Sequence, residues 1–180
     1  MLALYPNTTI ELRILVEKDA PTIFATIDKN RERLKKWLGW LDSTVAIEDS
    51  RKFIAEGVAG YEAKKVFRFG VFVAGEFAGI IELQAIDYQN KKSSIGYWLA
   101  EGFEGKGVMS QSVIAVMKYA FSELNLNRIE LHIATKNTNS NKIAKRIGFM
   151  KEGILRQNEW LYDHFVDHNS YSILRQDFLD

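Results

Sequence analysis

A chain of 180 residues, 47% hydrophobic and 26% charged, is long enough for one domain with a full core and short for two. Its formal charge of +1 gives no field that would draw nucleic acid or an acidic membrane. The absence of cysteine excludes disulfides, thiolate zinc sites and a cysteine nucleophile, and fits a cytosolic protein. No apolar run approaches the roughly 20 residues of a membrane helix, and the N-terminus lacks the basic stretch of a signal peptide.

Residues 9–16 read as a strand, with Ile10, Leu12 and Ile14 alternating against Glu11 and Arg13. Asp19 and Pro21 mark a helix start, and the helix should run to about Leu34 with Ile23, Phe24 and Ile27 on one face. Trp37, Leu38, Trp40 and Leu41 crowd the next segment. A second helix begins between Thr44 and Glu48 and ends near Lys65. From Val66 the period changes to two, and residues 66–73 and 77–86 form a hairpin about Ala74, Gly75 and Glu76. Residues 94–99 are the next strand. A turn with Gly102, Gly105 and Gly107 leads from it into a helix carrying Val113, Val116, Met117, Ala120 and Phe121 at helical spacing. Residues 128–134 alternate again, with Ile129, Leu131 and Ile133 on one face. A short helix starts around Thr138 and ends before Gly148, its cap. Residues 149–155 read as a strand, 157–166 as a loop rich in aromatic and polar groups, and 170–175 as the last strand. The order predicts one α+β domain over residues 1–180: a mixed, mostly antiparallel sheet of about seven strands, about four helices, and one βαβ crossover around the glycine turn.

The glycine turn carries the chemistry. Glycine permits positive φ and close approach of the backbone to a ligand. The helix behind it presents unpaired N–H groups and a positive dipole end, which suit a phosphate. Neither the GxxxxGK[ST] nor the GxGxxG spacing is present, so the two commonest nucleotide loops are excluded. What remains is a phosphate or diphosphate held mainly by backbone amides, with Lys106 as a countercharge, or a helix-entry turn without a ligand.

Six blocks carry a resemblance: Gly96-Tyr97-Trp98-Leu99, Glu104-Gly105-Lys106-Gly107-Val108-Met109, Asn127-Arg128-Ile129, Asn137-Thr138-Asn139-Ser140-Asn141, Gly148-Phe149 and Glu152-Gly153. Together they resemble the GCN5-related N-acetyltransferase superfamily, and within it the RimJ/RimL branch of ribosomal-protein N-terminal acetyltransferases. The resemblance implies acetyl-CoA as cosubstrate, no metal, and an amine acceptor. It places the diphosphate on the backbone from Glu104 through Gly105, Lys106, Gly107, Val108 and Met109 to Ser110. Glu104 stands where Gln or Arg is usual and Met109 where Gly or Ala is usual, which shifts the grip from side chains to amides. Trp98, Leu99 and Ala100 correspond to a splayed strand that holds the thioester carbonyl and borders the pantetheine arm. Asn137 bonds the pantetheine or caps the following helix. Ser140 is either a general acid toward the leaving thiolate or a cap. Glu159 corresponds to the branch's water-positioning glutamate, and Glu82, on the second hairpin strand, is its rival as general base. Lys145 or Arg146 would meet the 3′-phosphate. Trp37, Trp40, Tyr61, Trp160 and Tyr162 would line an acceptor pocket.

Asp167-His168 matches the branch's entry to its last strand and reads as a turn. His132 reads as a half-exposed structural residue, and three scattered histidines make no metal site. Without a cysteine a cysteinyl acyl-enzyme is excluded, and the expected transfer is a direct attack in a ternary complex. The branch implies a protein N-terminal α-amine as acceptor, a cytoplasmic location and a homodimer. A small amine such as an aminoglycoside or polyamine is the alternative acceptor, and a non-catalytic acyl-CoA-binding module the alternative function.

Overall fold

The computed structural model describes residues 2–179. Alternating apolar residues lay down eight strands: β1 (Ala3–Leu4), β2 (Ile10–Ile14), β3 (Phe67–Val73), β4 (Glu76–Asp87), β5 (Lys92–Leu99), β6 (Arg128–Ala134), β7 (Met150–Leu161) and β8 (His164–Leu174). Six α-helices accompany them: α1 (Ala20–Lys29), α2 (Arg31–Leu34), α3 (Ile47–Glu62), α4 (Val108–Ser122), α5 (Thr138–Ile147) and α6 (Arg175–Leu179). The strands form one sheet in the order β1-β2-β3-β4-β5-β6-β8-β7. Among the described residues, β5 and β6 are its one parallel pair, joined through α4.

Helices cover both faces. On one, Val113, Val116, Met117, Ala120 and Phe121 of α4 bury against Leu12, Phe69, Ile81, Leu83 and Ile129 of the sheet. On the other, Ile23, Ile27, Leu34 and Ile54 pack on Phe72, Phe77, Ile80 and Trp98. Each fully buried Leu, Ile or Phe contributes about 1.5–3 kcal/mol. An exposed ion pair contributes about 1 kcal/mol or less, so these two layers hold the fold.

The helix expected to run to Leu34 breaks at Asn30, between α1 and α2. Asn30 leaves the helix because its amide bridges outward. Its Nδ2 donates to the Thr26 carbonyl at 2.8 Å, and its Oδ1 accepts the Glu101 N–H at 2.7 Å. Residues 157–166 are not a loop, and Asp167-His168 is not a turn. All but Tyr162 and Asp163 lie in the long β7–β8 hairpin. The two-residue period fails there because β7 bulges between Leu155 and Glu159, with Gln157 at φ +51°. Its exposed aromatics Trp160 and Phe165 also pack on each other, 4.8 Å apart, instead of on the core.

The sheet opens at its middle. Parallel pairing covers Lys92↔Arg128 to Ser94↔Glu130 and then stops, so β5 and β6 part beyond Ile95 and Leu131. Beyond that point β5 stays with β4, through Gly79↔Leu99. Gly79 has φ +153°, and a Cβ there would lie 2.2 Å from the Trp98 carbonyl oxygen, so only glycine allows this approach. β6 instead follows β8 to Ala134↔His168. Asn141, buried at the start of α5, ties that side together. Its Nδ2 donates to the carbonyls of Ala134 and Asn137 at 3.0 and 2.8 Å, and its Oδ1 accepts from Asn169 Nδ2 and the Tyr171 hydroxyl at 2.7 and 2.9 Å. A fully satisfied buried amide fixes one arrangement of its neighbours. No described helix is long and apolar enough to cross a membrane.

At the paired end Arg128 clamps three strands. Its Nε binds Glu130 at 2.7 Å, its Nη1 and Nη2 bind Glu152 at 2.8 and 2.5 Å, and Ser172 donates to Glu152 at 2.8 Å. Arg128 first, and Ser172 second, hold the Glu152 carboxyl down to about 2 from its ordinary 4.5. A carboxyl lowered on folding adds stability that is present above 4.5 and fades as pH falls toward 2. Glu152 is largely exposed, so solvent limits the effect to about 1 kcal/mol or less. Urea unfolding should therefore find Glu152→Gln less stable than the parent by up to ~1 kcal/mol at pH 7, with the gap closing as pH drops from 4.5 to 2.

Candidate active site

A cleft of about 690 Å³ runs through the gap between β5 and β6. At the α4 and α5 end it is lined by Gly105, Gly107, Val108, Met109, Ser110, Asn137, Ser140, Lys142 and Arg146. At the other end it is lined by Lys36, Trp37, Leu38, Glu159 and His168.

The first end is built for an anion. Gly107 sits at φ +75° as the residue before α4, and its carbonyl accepts the Gln111 N–H at 3.0 Å. The N–H groups of Val108, Met109 and Ser110 then fall in the first helical turn, where no carbonyl of the helix reaches them. They and the helix dipole converge on the cleft. Lys142 and Arg146, one turn apart on α5, add positive charge, and Arg146 Nη1 lies 3.4 Å from Ser110 Oγ. Lys106 and Lys145 are exposed and do not line the cleft. Glu104 would oppose an anion if it were free, but its carboxylate accepts from Arg33 Nη1 at 2.5 Å. Arg33 also donates to the Leu99 carbonyl and, at 3.2 Å, to Asn30 Oδ1. The pair thus neutralises Glu104 and ties the glycine turn to α2 and to the end of β5.

In the middle, Trp98 and Leu99 line the cleft. Ala100 does not: its N–H donates to the Ala78 carbonyl at 2.7 Å and anchors the end of β5 to β4. Asn137 is the cap of α5, accepting the Ser140 N–H on Oδ1 at 3.2 Å. Ser140 is therefore not the cap, and its hydroxyl is free for the cleft. Tyr97, which sequence reasoning passed over, lines the cleft beside it. Burial pushes the phenol up to about 12, against the opposing pull of the Ser140 hydroxyl, and no well-aligned hydrogen bond reaches the Tyr97 oxygen. Its signal was present as a polar tip in the apolar run from Ile95 to Leu99.

At the second end, Glu159 Oε2 lies 3.1 Å from His168 Nε2, and Asn158 Nδ2 lies 3.1 Å from His168 Nδ1. Glu82, the rival carboxylate, does not line the cleft. Arg68 Nε binds it at 2.5 Å, while the Arg68 guanidinium stacks 3.8 Å over Phe53 and donates to the Phe53 carbonyl. Of the five aromatics expected around an acceptor, Trp37 lines the cleft. Trp40 rests on Trp98 and Tyr61 on Phe67, with centroids 6.5 and 5.6 Å apart. Trp160 is taken by Phe165. Tyr162 works from outside: its hydroxyl donates to the Leu38 carbonyl at 2.6 Å and holds the cleft wall to the β7–β8 turn. His132 is exposed at the cleft edge. Among the described residues no three His, Cys, Asp or Glu side chains gather as a metal site would require.

A family model described as an acetyltransferase (GNAT) domain matches residues 9–150. The chain is 33% identical to a putative ribosomal N-acetyltransferase, YdaF, of Bacillus subtilis, over 96% of this chain and 94% of that one. It is 32% identical to the ribosomal-protein-serine acetyltransferase of Escherichia coli, over 92% and 93%. The solved structure of RimL, a ribosomal L7/L12 alpha-N-protein acetyltransferase in complex with coenzyme A, superposes with a TM-score of 0.94 at 30% identity, covering 98% of this chain and 99% of that one. The sheet that opens at its middle, the amide cradle beside the opening and these relatives agree: the chain belongs to the GNAT acetyltransferase family and is an N-acetyltransferase.

Proposed function

We propose that the protein transfers the acetyl group of acetyl-CoA to the N-terminal α-amine of a protein, a ribosomal protein by analogy with its relatives, in the cytoplasm. One observation carries the reading: a single cleft joins an amide cradle at one end to one carboxylate, Glu159, at the other. The N–H groups from Gly105 to Ser110 take the diphosphate, and Lys142 and Arg146 supplement its charge balance. The main chain of β5, left unpaired where β6 departs, borders the pantetheine and supplies an N–H donor to the thioester oxygen as negative charge develops there.

The acceptor arrives as an ammonium with a pKa near ~8. Glu159 takes its proton, through a water, and the neutral amine attacks the thioester carbon. The C–S bond breaks, the Ser140 hydroxyl donates a hydrogen bond to the departing thiolate, and the proton the nitrogen sheds on becoming an amide balances the one the thiolate takes up to leave as the thiol. Tyr97, pushed up to about 12, stays protonated behind Ser140 across the working pH range.

Charge at the acceptor end favours an α-amine over a polyamine. A polyamine carries several ammonium groups and calls for several carboxylates. Here Glu159 stands beside His168, Arg33 and Lys36 add positive charge to the same cleft, and Glu104 is already paired to Arg33. A homodimer fits the branch, and the exposed Met150 and Ile154 of β7, at the sheet edge, offer a surface for it.

Acetylation of a panel of ribosomal N-terminal peptides, spermidine and an aminoglycoside tests the acceptor. The peptides should be used, and turnover of the polyamine alone would overturn the choice. Glu159→Gln should lower kcat on the preferred peptide by about 100-fold or more, the usual weight of a general base, with CoA affinity in calorimetry unchanged. Gly107→Val should act on the other end. A β-branched residue is strained at φ +75°, by about 1–3 kcal/mol, so the turn should shift and CoA should bind about 10- to 100-fold more weakly.

A further inference from the structure

Asn158, Glu159 and His168 meet because β7 is irregular. Between Leu155↔His168 and Glu159↔Val166, β7 spends Arg156, Gln157 and Asn158 where β8 spends Asp167. Gln157 sits at φ +51°, a region uncommon for a residue with a side chain. Asp167 maintains it there: its carboxylate accepts the Gln157 N–H at 2.7 Å, and its carbonyl accepts the Thr135 N–H at 2.9 Å. Bulges re-aim side chains. This one turns Asn158 and Glu159 onto opposite nitrogens of a single imidazole, itself 9% exposed.

With the Asn158 amide donating to Nδ1, the His168 proton is on Nε2 and points at Glu159 Oε2. Neither ring nitrogen is then open to an incoming amine, so His168 is not itself the base. We propose that His168 is a positioning residue for acetyl transfer: its Nε2–H pins Glu159 Oε2, which leaves Oε1 for the water that relays the acceptor's proton, and Asn158 selects the tautomer that makes this bond. The proposal rests on reading Glu159 as the proton acceptor. A glutamate that keeps 34% of its side chain exposed near a hairpin end has several rotamers to choose from. Fixing one oxygen removes that freedom before the substrate arrives.

The test compares kcat, KM and CoA affinity for His168→Ala, His168→Gln, Asn158→Ala, Glu159→Gln and the double variant His168→Ala/Glu159→Gln, on the peptide the parent enzyme prefers. His168→Ala should lower kcat by about 10- to 100-fold, the worth of a hydrogen bond to a charged group, with CoA affinity unchanged. His168→Gln places an N–H donor where Nε2 was and should recover most of the rate. Asn158→Ala leaves both reactive groups in place and should cost about 2- to 10-fold. The double variant should be no slower than Glu159→Gln alone. If Glu159→Gln is slow and His168→Ala is not, the positioning role is overturned while the base stands. If Glu159→Gln is as fast as the parent, the base falls and the inference with it. A His168→Gln enzyme that binds CoA normally yet is as slow as His168→Ala also overturns it, since a donated bond would then not be what His168 supplies. Should His168→Ala lose CoA binding through misfolding, His168→Gln and Asn158→Ala decide between the same outcomes.

Discussion

Two parallel strands that pair for three residues and then diverge must each be held from the far side, and much of the molecule serves that separation. β5 is kept on β4 by an approach so close that Gly79 has no room for a Cβ. β6 is drawn the other way by β8 and by Asn141, all of whose polar atoms are used. The cost is a stretch of main chain in the interior of a sheet without its usual partner, and backbone N–H and C=O groups do not remain unbonded when buried. A ligand with its own amides, lying along β5 as a further strand would, satisfies them. The pantetheine arm of CoA has that chemistry.

The cradle for the diphosphate follows the same economy of side chains. Its donors are main-chain N–H groups at the start of α4, so the residue at position 104 is released from touching phosphate. That release explains how a glutamate stands at the loop. Glu104 serves instead as the counterion of Arg33, and Arg33 reaches the Leu99 carbonyl at the end of β5. The glycine turn before α4, the end of β5 and α2 are thereby tied by one guanidinium. Its anchoring helix turn exists because Asn30 breaks the longer helix to bind Glu101.

What was legible in the sequence was what periodicity and local backbone chemistry control. The buried stripe of α4, the alternation of β6 and the glycine entry to α4 were each visible within a dozen residues. Glu82 was not assignable that way. Counting back from the turn at Ala74-Gly75 places Arg68 opposite Ile81, but a bulge at Ala78 shifts the register by one and puts Arg68 opposite Glu82. One extra residue converts a candidate base into half of an ion pair. The β7–β8 hairpin was hidden by the same kind of event, a bulge with Gln157 in the left-handed region, together with aromatics that pack on one another. Bulges leave little trace in hydrophobic pattern, because their cause lies in partners on another strand.

Those two bulges have opposite consequences for the same need. The proposed transfer needs one carboxylate at the acceptor end of the cleft, and the sheet offers a glutamate on each side of the opening, on β4 and on β7. The shift in β4 turns Glu82 toward Arg68 and away from the cleft. The shift in β7 turns Glu159 toward the cleft and gives it His168 as partner in place of an arginine. An arginine partner holds a carboxylate in a charge-assisted pair, which occupies it. An imidazole N–H instead orients it through a single hydrogen bond and leaves its other oxygen unclaimed. The distinction between the ion-paired glutamate and the one that faces the cleft thus lies in the partner each bulge selects.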